Sequence, residues 1–313
     1  MSACYVTVHF IVYTTPIIYI KKSLYFYMRT STDNLLSQFK ALADPIRIRL
    51  VALCGVAECS VSELTEVLGL SQPRVSQHLK QLIAADLLER FRDGHFVYHR
   101  VPSGGRESQL RRQLIALLPE DAPEFARDIA KLRELRAADG RGTSTDEEED
   151  RPLHKALVQL TVAAPLGDLL DIGCGQGKLL KLLASRAKRV VGVDIDSDAR
   201  RLARAELLVA GSPNCSLRQG DMYALPFDDD EIDTIILDDV LTSADRPTKV
   251  IQESLRLLKP GGRVLFLATV DADDAEAVRS NFADWAGEAG LRLAPPRAIP
   301  ARNPGWLLGV ATE

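Results

Sequence analysis

Between Asp33 and Ala43 apolar side chains recur at helical spacing: Leu35, Leu36, Phe39, Leu42 and Ala43. Asp44-Pro45 then reads as an N-cap followed by proline at the first helical position, so a second helix starts there. Ser60-Val61-Ser62-Glu63 is a capping box, in which the serine and the glutamate each satisfy the other's backbone N–H. It opens a helix that Gly69 ends. Ser71 caps the next one, and Pro73 is tolerated in its first turn, where no N–H is needed. There Val75, Leu79, Leu82 and Ile83 form a buried stripe, with Gln72, Arg74, Gln77, Lys80 and Gln81 on the opposite face. The period then changes. "LERFRDGHFVYHRV" alternates about Asp93-Gly94, which predicts a β-hairpin with those two residues as its turn. That register sets Arg92 opposite His95 and Arg90 opposite Val97 on one face, with Phe91 and Phe96 on the other.

Helical spacing returns at Leu110, Leu114 and Leu117, and again at Phe125, Ile129, Leu132 and Leu135. "ADGRGTSTDEEED" breaks it, rich in glycine and hydroxyls and ending in carboxylates, and reads as a mobile hinge. Beyond it strands and helices alternate: "DLLDI", "RVVGVDI", "CSLRQGDM", "IDTIILDD" and "GGRVLFLA", with two last strands near Leu291–Ala294 and Trp306–Thr312. The expected fold class is an all-α winged helix-turn-helix followed by an α/β domain. The latter has a doubly wound, Rossmann-like, seven-stranded sheet whose ligands bind at the strand C-termini. The expected organisation is an extension at 1–27, a winged domain at 28–105, a helical and linker region at 106–150, and the α/β domain at 151–313.

With 313 residues, 46% hydrophobic and 26% charged, the chain has room for two globular cores. A net charge of -4 means that any case for nucleic acid rests on a local patch. Such a patch exists: from Ser71 to Arg100 the cations Arg74, Lys80, Arg90, Arg92 and Arg100 outnumber Asp86, Glu89 and Asp93. Cys4, Cys54, Cys59, Cys174 and Cys215 are odd in number without a CxxC, which suits a reducing cytoplasm. Residues 1–27 hold five of the seven tyrosines. Their apolar run, Val8 to Ile20, is too short and interrupted to span a bilayer, and Lys21 and Lys22 follow it rather than precede it as in a signal peptide. Met28 is the expected start, with an added strand or anchor as the other reading of 1–27.

The helix after Ser71 presents long donors on its N-terminal half, as base-edge and phosphate contacts require. Ser71, Gln72, Arg74, Ser76, Gln77 and Lys80 are the candidates there, and Arg92 and His95 in the hairpin. "LADPIRIRLVALC", "SVSELTEVLGLSQPRVSQHLKQL" and "GHFVYHRV" resemble the ArsR/SmtB winged helix-turn-helix regulators, over roughly residues 33–101. The resemblance implies a homodimer on a double-stranded DNA operator, with the Ser71 helix in the major groove and a helix after the wing helping to form the dimer. Metal-sensing members carry a Cys-x-Cys pair where Ser60 and Ser62 stand here, so no metal is expected.

"LLDIGCGQGKLL" places Gly173, Gly175 and Gly177 after a strand ending in Asp171. Lys178 stands where a dinucleotide fingerprint has its third glycine, and Asp171 disfavours a pyrophosphate while suiting a cationic amino group or sulfonium. Asp194 ends the second strand, where a carboxylate can accept from both ribose hydroxyls, with Ile195 beside it. Asp221 can accept from an exocyclic amine, and Met222 or Leu225 can cover the ring. Together with "LRLLKPGGRVLFL", these positions resemble the class I S-adenosylmethionine-dependent methyltransferases over about 165–313. The resemblance implies S-adenosylmethionine or S-adenosylhomocysteine as ligand. Asp238 and Asp239, in "LDDVLTSADRP", are the candidate catalytic bases, and His154 is a further candidate. The expected function is a regulator that senses an adenosyl ligand; the alternative is an active small-molecule methyltransferase with an autoregulatory DNA-binding domain. The methyl acceptor, the operator and the direction of regulation are not legible.

Overall fold

The computed structural model describes residues 32–94, 96–102, 108–119, 122–139, 151–271, 273–301 and 305–313. The extension at 1–27, the hinge at 140–150 and His95 lie outside the described residues. The first domain contains α1 (32–42), α2 (Pro45–Val56), β1 (Cys59–Ser60), α3 (Val61–Leu68), α4 (Gln72–Ala84), β2 (Glu89–Asp93) and β3 (Phe96–Arg100). Its caps follow the sequence. Asp44 accepts from the N–H groups of Ile46 and Arg47 at 2.9 and 3.0 Å. The Ser60 N–H donates to Glu63 at 2.7 Å, and the Glu63 N–H to the Ser60 hydroxyl at 3.3 Å. Gly69 closes α3 in the left-handed region that favours glycine. Ser71 occupies the N-cap position of α4, but its side chain makes no capping hydrogen bond.

The hairpin differs from its predicted register: each residue of the first strand pairs two positions further along the second. Asp93 pairs with Phe96, Arg92 with Val97 and Arg90 with His99. Strand β2 therefore runs on through Asp93, and Arg92 does not face His95. The physical reason is tertiary: the Asp93 carboxylate is buried against Arg200 and Arg204 of the second domain. Arg90 and Arg92 remain together on an exposed face. Phe91 and Tyr98 stack on the other side with ring centroids 5.9 Å apart.

Two helices follow, α5 (Ser108–Ala116) and α6 (Pro123–Asp139). Leu132 of α6 is fully buried in the winged-domain core, with Ile129 and Leu135 packed beside it. The apolar stripe of α6 is thus covered within the chain.

The second domain comprises α7 (Arg151–Ala163), β4 (Asp168–Ile172), α8 (Lys178–Leu183), β5 (Arg189–Asp194), α9 (Ser197–Val209), β6 (Cys215–Gln219), β7 (Ile232–Asp238), α10 (Val240–Ser243), α11 (Pro247–Leu257), β8 (Leu258–Thr269), α12 (Ala275–Glu288), β9 (Arg292–Leu293), β10 (Arg297–Ile299) and β11 (Trp306–Thr312). The sheet order is β10-β11-β8-β7-β4-β5-β6, with β9 paired to β11 as an eighth strand. Strands β4 to β8 are parallel, and β11 is antiparallel to β8. Sequence reasoning missed β10 because Pro296 and Pro300 leave only three residues between them free to pair. Both sheet faces are covered, so the central strands are apolar on both sides. Leu170, Ile172, Ile235, Leu237 and Phe266 face one core, while Leu169, Ile236 and Leu265 face the other. The strand order reverses beside β4, and this switch point positions the ligand site.

Leu208 of α9 belongs to the winged-domain core, so the two domains share apolar packing. Leu132→Ala is expected to lower the unfolding free energy by roughly 2–5 kcal/mol, because a fully buried leucine leaves a cavity. A urea titration followed by tryptophan fluorescence reads this; both tryptophans, Trp285 and Trp306, lie in the second domain. A midpoint unchanged from wild type would show the two domains to unfold independently.

Candidate functional site

The loop after β4 is folded tightly onto the sheet. The N–H groups of Gly173 and Cys174 both donate to the Val193 carbonyl, at 2.7 and 3.0 Å. Gly173 has φ +72°, and a Cβ there would lie 2.7 Å from Val240 Cγ2. Gly177 has φ +79°, and a Cβ would come 3.0 Å from the Ala203 Cβ. Each needs glycine for its conformation and its close neighbour.

Around this loop the predicted ligand residues converge. The Gly175 N–H donates to Asp194 Oδ2 at 2.8 Å, and the Asp196 N–H to Oδ1 at 2.8 Å. These bonds orient the Asp194 carboxylate and leave each oxygen a lone pair for a hydroxyl. Ile195 is 72% exposed, an uncovered apolar side chain at the strand end. Asp221 and Met222 follow β6; the Tyr223 N–H donates to Asp221 Oδ1 at 3.0 Å, and Met222 packs on the sheet core. Leu225 is buried and belongs to that core, which leaves Met222 as the available cover for a ring.

Asp171 is the unusual member. It is 2% exposed, and its Oδ1 has no hydrogen-bond partner among the described residues. Burial first, then the nearby Asp238 and Asp194, raise its carboxyl well above the ordinary 3.8. A buried acceptor of this kind fits an amino group of a cationic or zwitterionic ligand.

The candidate bases are not equivalent. Asp239, with φ +54°, accepts from the Thr269 N–H at 2.7 Å and its hydroxyl at 2.8 Å, so its carboxylate ties the loop after β7 to β8. Asp238 stays at the end of β7, close enough to Asp171 to act on it electrostatically. His154 lies on α7, whose Leu153, Ala156 and Leu157 pack on the opposite sheet face from Met222. Sequence reasoning did not find Tyr223 and Arg246. The Arg246 guanidinium lies 4.6 Å over the Tyr223 ring, and the Arg246 backbone N–H donates to the Tyr223 hydroxyl at 3.3 Å, which joins the loops after β6 and α10.

On the first domain, Ser71, Gln72, Arg74, Gln77 and Lys80 are exposed along one face of α4, and Ser76 is half-buried. Arg92 is exposed on β2, on the side away from the second domain. Ser60 is the N-cap of α3, and Cys54 and Cys59 are buried in the core beneath it.

A second feature escaped the sequence altogether. Glu58, Asp93, Arg136, Arg200 and Arg204 are all buried between the domains. Arg204 donates to Asp93 at 2.5 Å and to Glu58 at 3.0 Å. Arg136 donates to the Glu58 carbonyl at 2.6 Å, the Arg204 carbonyl at 3.0 Å and Glu63 at 2.7 Å. The Arg204 guanidinium also lies 4.1 Å over the Tyr98 ring. Burial alone would raise the Asp93 carboxyl, but Arg200 and Arg204 more than offset it and hold it below its ordinary value.

A doubly wound sheet with a glycine loop and three strand-end carboxylates, joined to a winged helix-turn-helix, defines a two-domain architecture. Residues 44–90 match the family model described as bacterial regulatory protein, arsR family, and residues 170–266 match that of a methyltransferase domain. The chain therefore joins an ArsR-family domain to a methyltransferase domain. The cofactor of such a domain is S-adenosylmethionine, or S-adenosylhomocysteine as its demethylated form. Over 127 residues the chain is 34% identical to a ubiquinone biosynthesis O-methyltransferase of Paracidovorax citrulli, covering 38% of this chain and 53% of the relative. Over 114 residues it is 34% identical to a demethylmenaquinone methyltransferase of Clavibacter sepedonicus, covering 36% of this chain and 46% of the relative. The chain spans about half the length of the curated relatives it matches. Among solved structures, a SAM-dependent methyltransferase from Aquifex aeolicus is 18% identical with a TM-score of 0.46, over 53% of this chain and 93% of that one.

The Asp171 environment generates a proton-linkage prediction. In the free protein its raised carboxyl binds more protons than the unfolded chain does, so stability falls as pH rises from 3.8 towards the raised value. A ligand ammonium beside it favours the charged form. S-adenosylhomocysteine is expected to expel a proton on binding and to bind more tightly as pH rises through that window. Calorimetry in phosphate and in Tris should give different apparent enthalpies, and Asp171→Asn should abolish the difference. Equal enthalpies for the wild type would place the amino group elsewhere.

Proposed function

We propose that this protein is a homodimeric, cytoplasmic transcriptional regulator. Its ArsR-type domain reads a double-stranded DNA operator, and its methyltransferase domain binds S-adenosylmethionine or S-adenosylhomocysteine as the signal. Asp171 would hold the ligand's amino group. The loop from Gly173 to Gly177 would approach its amino-acid portion, Asp194 its ribose, and Ile195, Asp221 and Met222 its adenine. The observation that carries the reading is the interface of Glu58, Asp93, Arg136, Arg200 and Arg204. The DNA-reading domain is locked to the ligand domain through buried charges, not merely tethered to it. A sensor needs such a connection, because a ligand shifts an equilibrium only by its differential affinity for two states.

A second reading, an active small-molecule methyltransferase with a self-regulating DNA-binding domain, is favoured by the 34% identity to two quinone-pathway methyltransferases. With Asp239 committed to Thr269, a base would have to come from Asp238. The acceptor would be a small molecule entering beside Tyr223 and Arg246.

Fluorescence anisotropy of labelled operator at fixed salt separates the two. The regulator reading expects S-adenosylmethionine and S-adenosylhomocysteine to change operator affinity unequally, by at least about tenfold. Equal operator affinity with either ligand and with none, together with labelled-methyl turnover into an acceptor, would leave the enzyme.

The DNA face makes its own prediction. Arg74→Ala and Gln77→Ala should relax preference at particular base pairs by about 1–3 kcal/mol. Arg92→Ala should weaken all sequences alike and flatten the salt dependence. Measured on a panel of single-base operator variants, the reverse pattern would exchange the roles of α4 and the wing.

A further inference from the structure

Arg200 is 0% exposed and its guanidinium binds in two directions. On one side Nε lies 2.9 and 3.1 Å from the two carboxylate oxygens of Asp93, and Nη2 donates to the same group. On the other, Nη1 donates to the Asp194 carbonyl at 2.7 Å. That carbonyl also accepts from the Gly220 N–H at 3.3 Å. Asp194 bears the carboxylate assigned to the ribose, and Gly220 immediately precedes Asp221, assigned to the adenine. One carbonyl therefore ties the ends of β5 and β6, across which an adenosine would lie. Arg200 fixes that carbonyl, and Asp93, at the tip of the wing, fixes Arg200. No described ligand-site residue comes from the wing, yet the wing supplies the counter-charge on which the site's geometry depends.

We propose that Asp93 is a positioning residue of the adenosyl-ligand site, acting from the DNA-binding wing through Arg200 on the Asp194 carbonyl, so that ligand occupancy and wing docking favour each other. The proposal rests on the regulator reading above and adds a direction to it. Without Asp93, Arg200 is a buried cation lacking a carboxylate, and the acidic side chains that precede it in the chain are Asp198, Asp196 and Asp194. Its guanidinium already bonds the Asp194 carbonyl, and if drawn to the Asp194 carboxylate it takes the acceptor positions that ribose hydroxyls need. The docked tip is also a poor partner for DNA. A Cβ on Gly94 would lie 3.2 Å from the Ser197 Cβ, and the exposed Asp196 and Asp198 flank Ser197. Phosphates approaching the tip meet helix α9 and two carboxylates. Ligand binding, by holding the wing docked, lowers operator affinity; operator DNA, by drawing the wing away, lowers ligand affinity by the same factor.

The test uses the full chain and S-adenosylhomocysteine in calorimetry. Asp93→Asn and Arg200→Gln should each weaken binding by about tenfold, an allosteric coupling of ordinary size. The double variant should bind no more weakly than the weaker single, because both remove one connection. Wild-type hydrogen exchange requires no substitution: the ligand should slow exchange of the β2 and β3 amides. Asp93→Asn binding as tightly as wild type, additive losses in the double variant, or wing amides indifferent to ligand would each overturn the proposal. The failure of the regulator reading looks different. If wild-type operator affinity ignores the ligand while Asp93→Asn still loses ligand affinity, positioning stands and sensing falls. If operator affinity responds but Asp93→Asn binds the ligand normally, sensing stands and this route falls.

Discussion

A charge removed from water must find its counter-charge, and the junction of the two domains is organised by that requirement. Arg136, Arg200 and Arg204 are buried there, each held by carboxylates or carbonyls. Buried ion pairs of this kind add little net stability over apolar packing. Breaking one by removing a partner costs about 3–5 kcal/mol, because the remaining charge is stranded. They therefore specify one docking more than they strengthen it. An apolar interface could slide; Asp93, fixed between Arg200 and Arg204, cannot without leaving two guanidiniums exposed to a medium that solvates them poorly. The register of the wing hairpin follows from this constraint, as does the burial of Tyr98 beneath the Arg204 guanidinium.

The ligand site is the opposite case. Asp171 is left short: a buried carboxyl, an oxygen without a hydrogen-bond partner among the described residues, and two like charges nearby. A fold does not gain by this arrangement alone. It becomes favourable when a cationic group enters, so the local cost is the affinity the site holds in reserve. The glycines belong to the same logic. Gly173 sits where any Cβ would strike Val240, and its N–H keeps the loop on the end of β5.

Much of this was legible from sequence because it is local. The Asp44 and Ser60 caps, the Gly69 stop, the glycine loop after "DLLDI" and the strand-end aspartates are short-range signals, and short-range physics decides them. The failures share the opposite cause. Asp93-Gly94 is a good turn by local rules, but a carboxylate contact spanning 107 residues of sequence outweighs a turn preference. An apolar stripe such as that of α6 does not say in sequence what covers it; here α2, α3 and α9 do. Arg200 and Arg204 sit one turn apart on a helix that reads as amphipathic and solvated, and nothing nearby in sequence marks them as the buried side. Nothing near Asp239 in sequence shows that the fold brings Thr269 to it.

The two functional readings make opposite demands on Arg200. An enzyme turning over at a useful rate must release S-adenosylhomocysteine, so an element that tightens around the bound adenosyl group slows the cycle it serves. A sensor gains from the same tightening, since the dwell of the ligand is the signal and the free energy that fixes Asp194 is also what holds the wing docked. The proposed connection lies at the Asp194 carbonyl, which joins β5 and β6 and accepts from Arg200. A coupling located there responds to the adenosyl body of the ligand. The extra methyl and positive charge that separate S-adenosylmethionine from its product are left to be felt by Asp171. Occupancy would thus be reported through Arg200 and ligand identity through Asp171, two readings of one molecule by two buried charges about which the fold takes opposite courses.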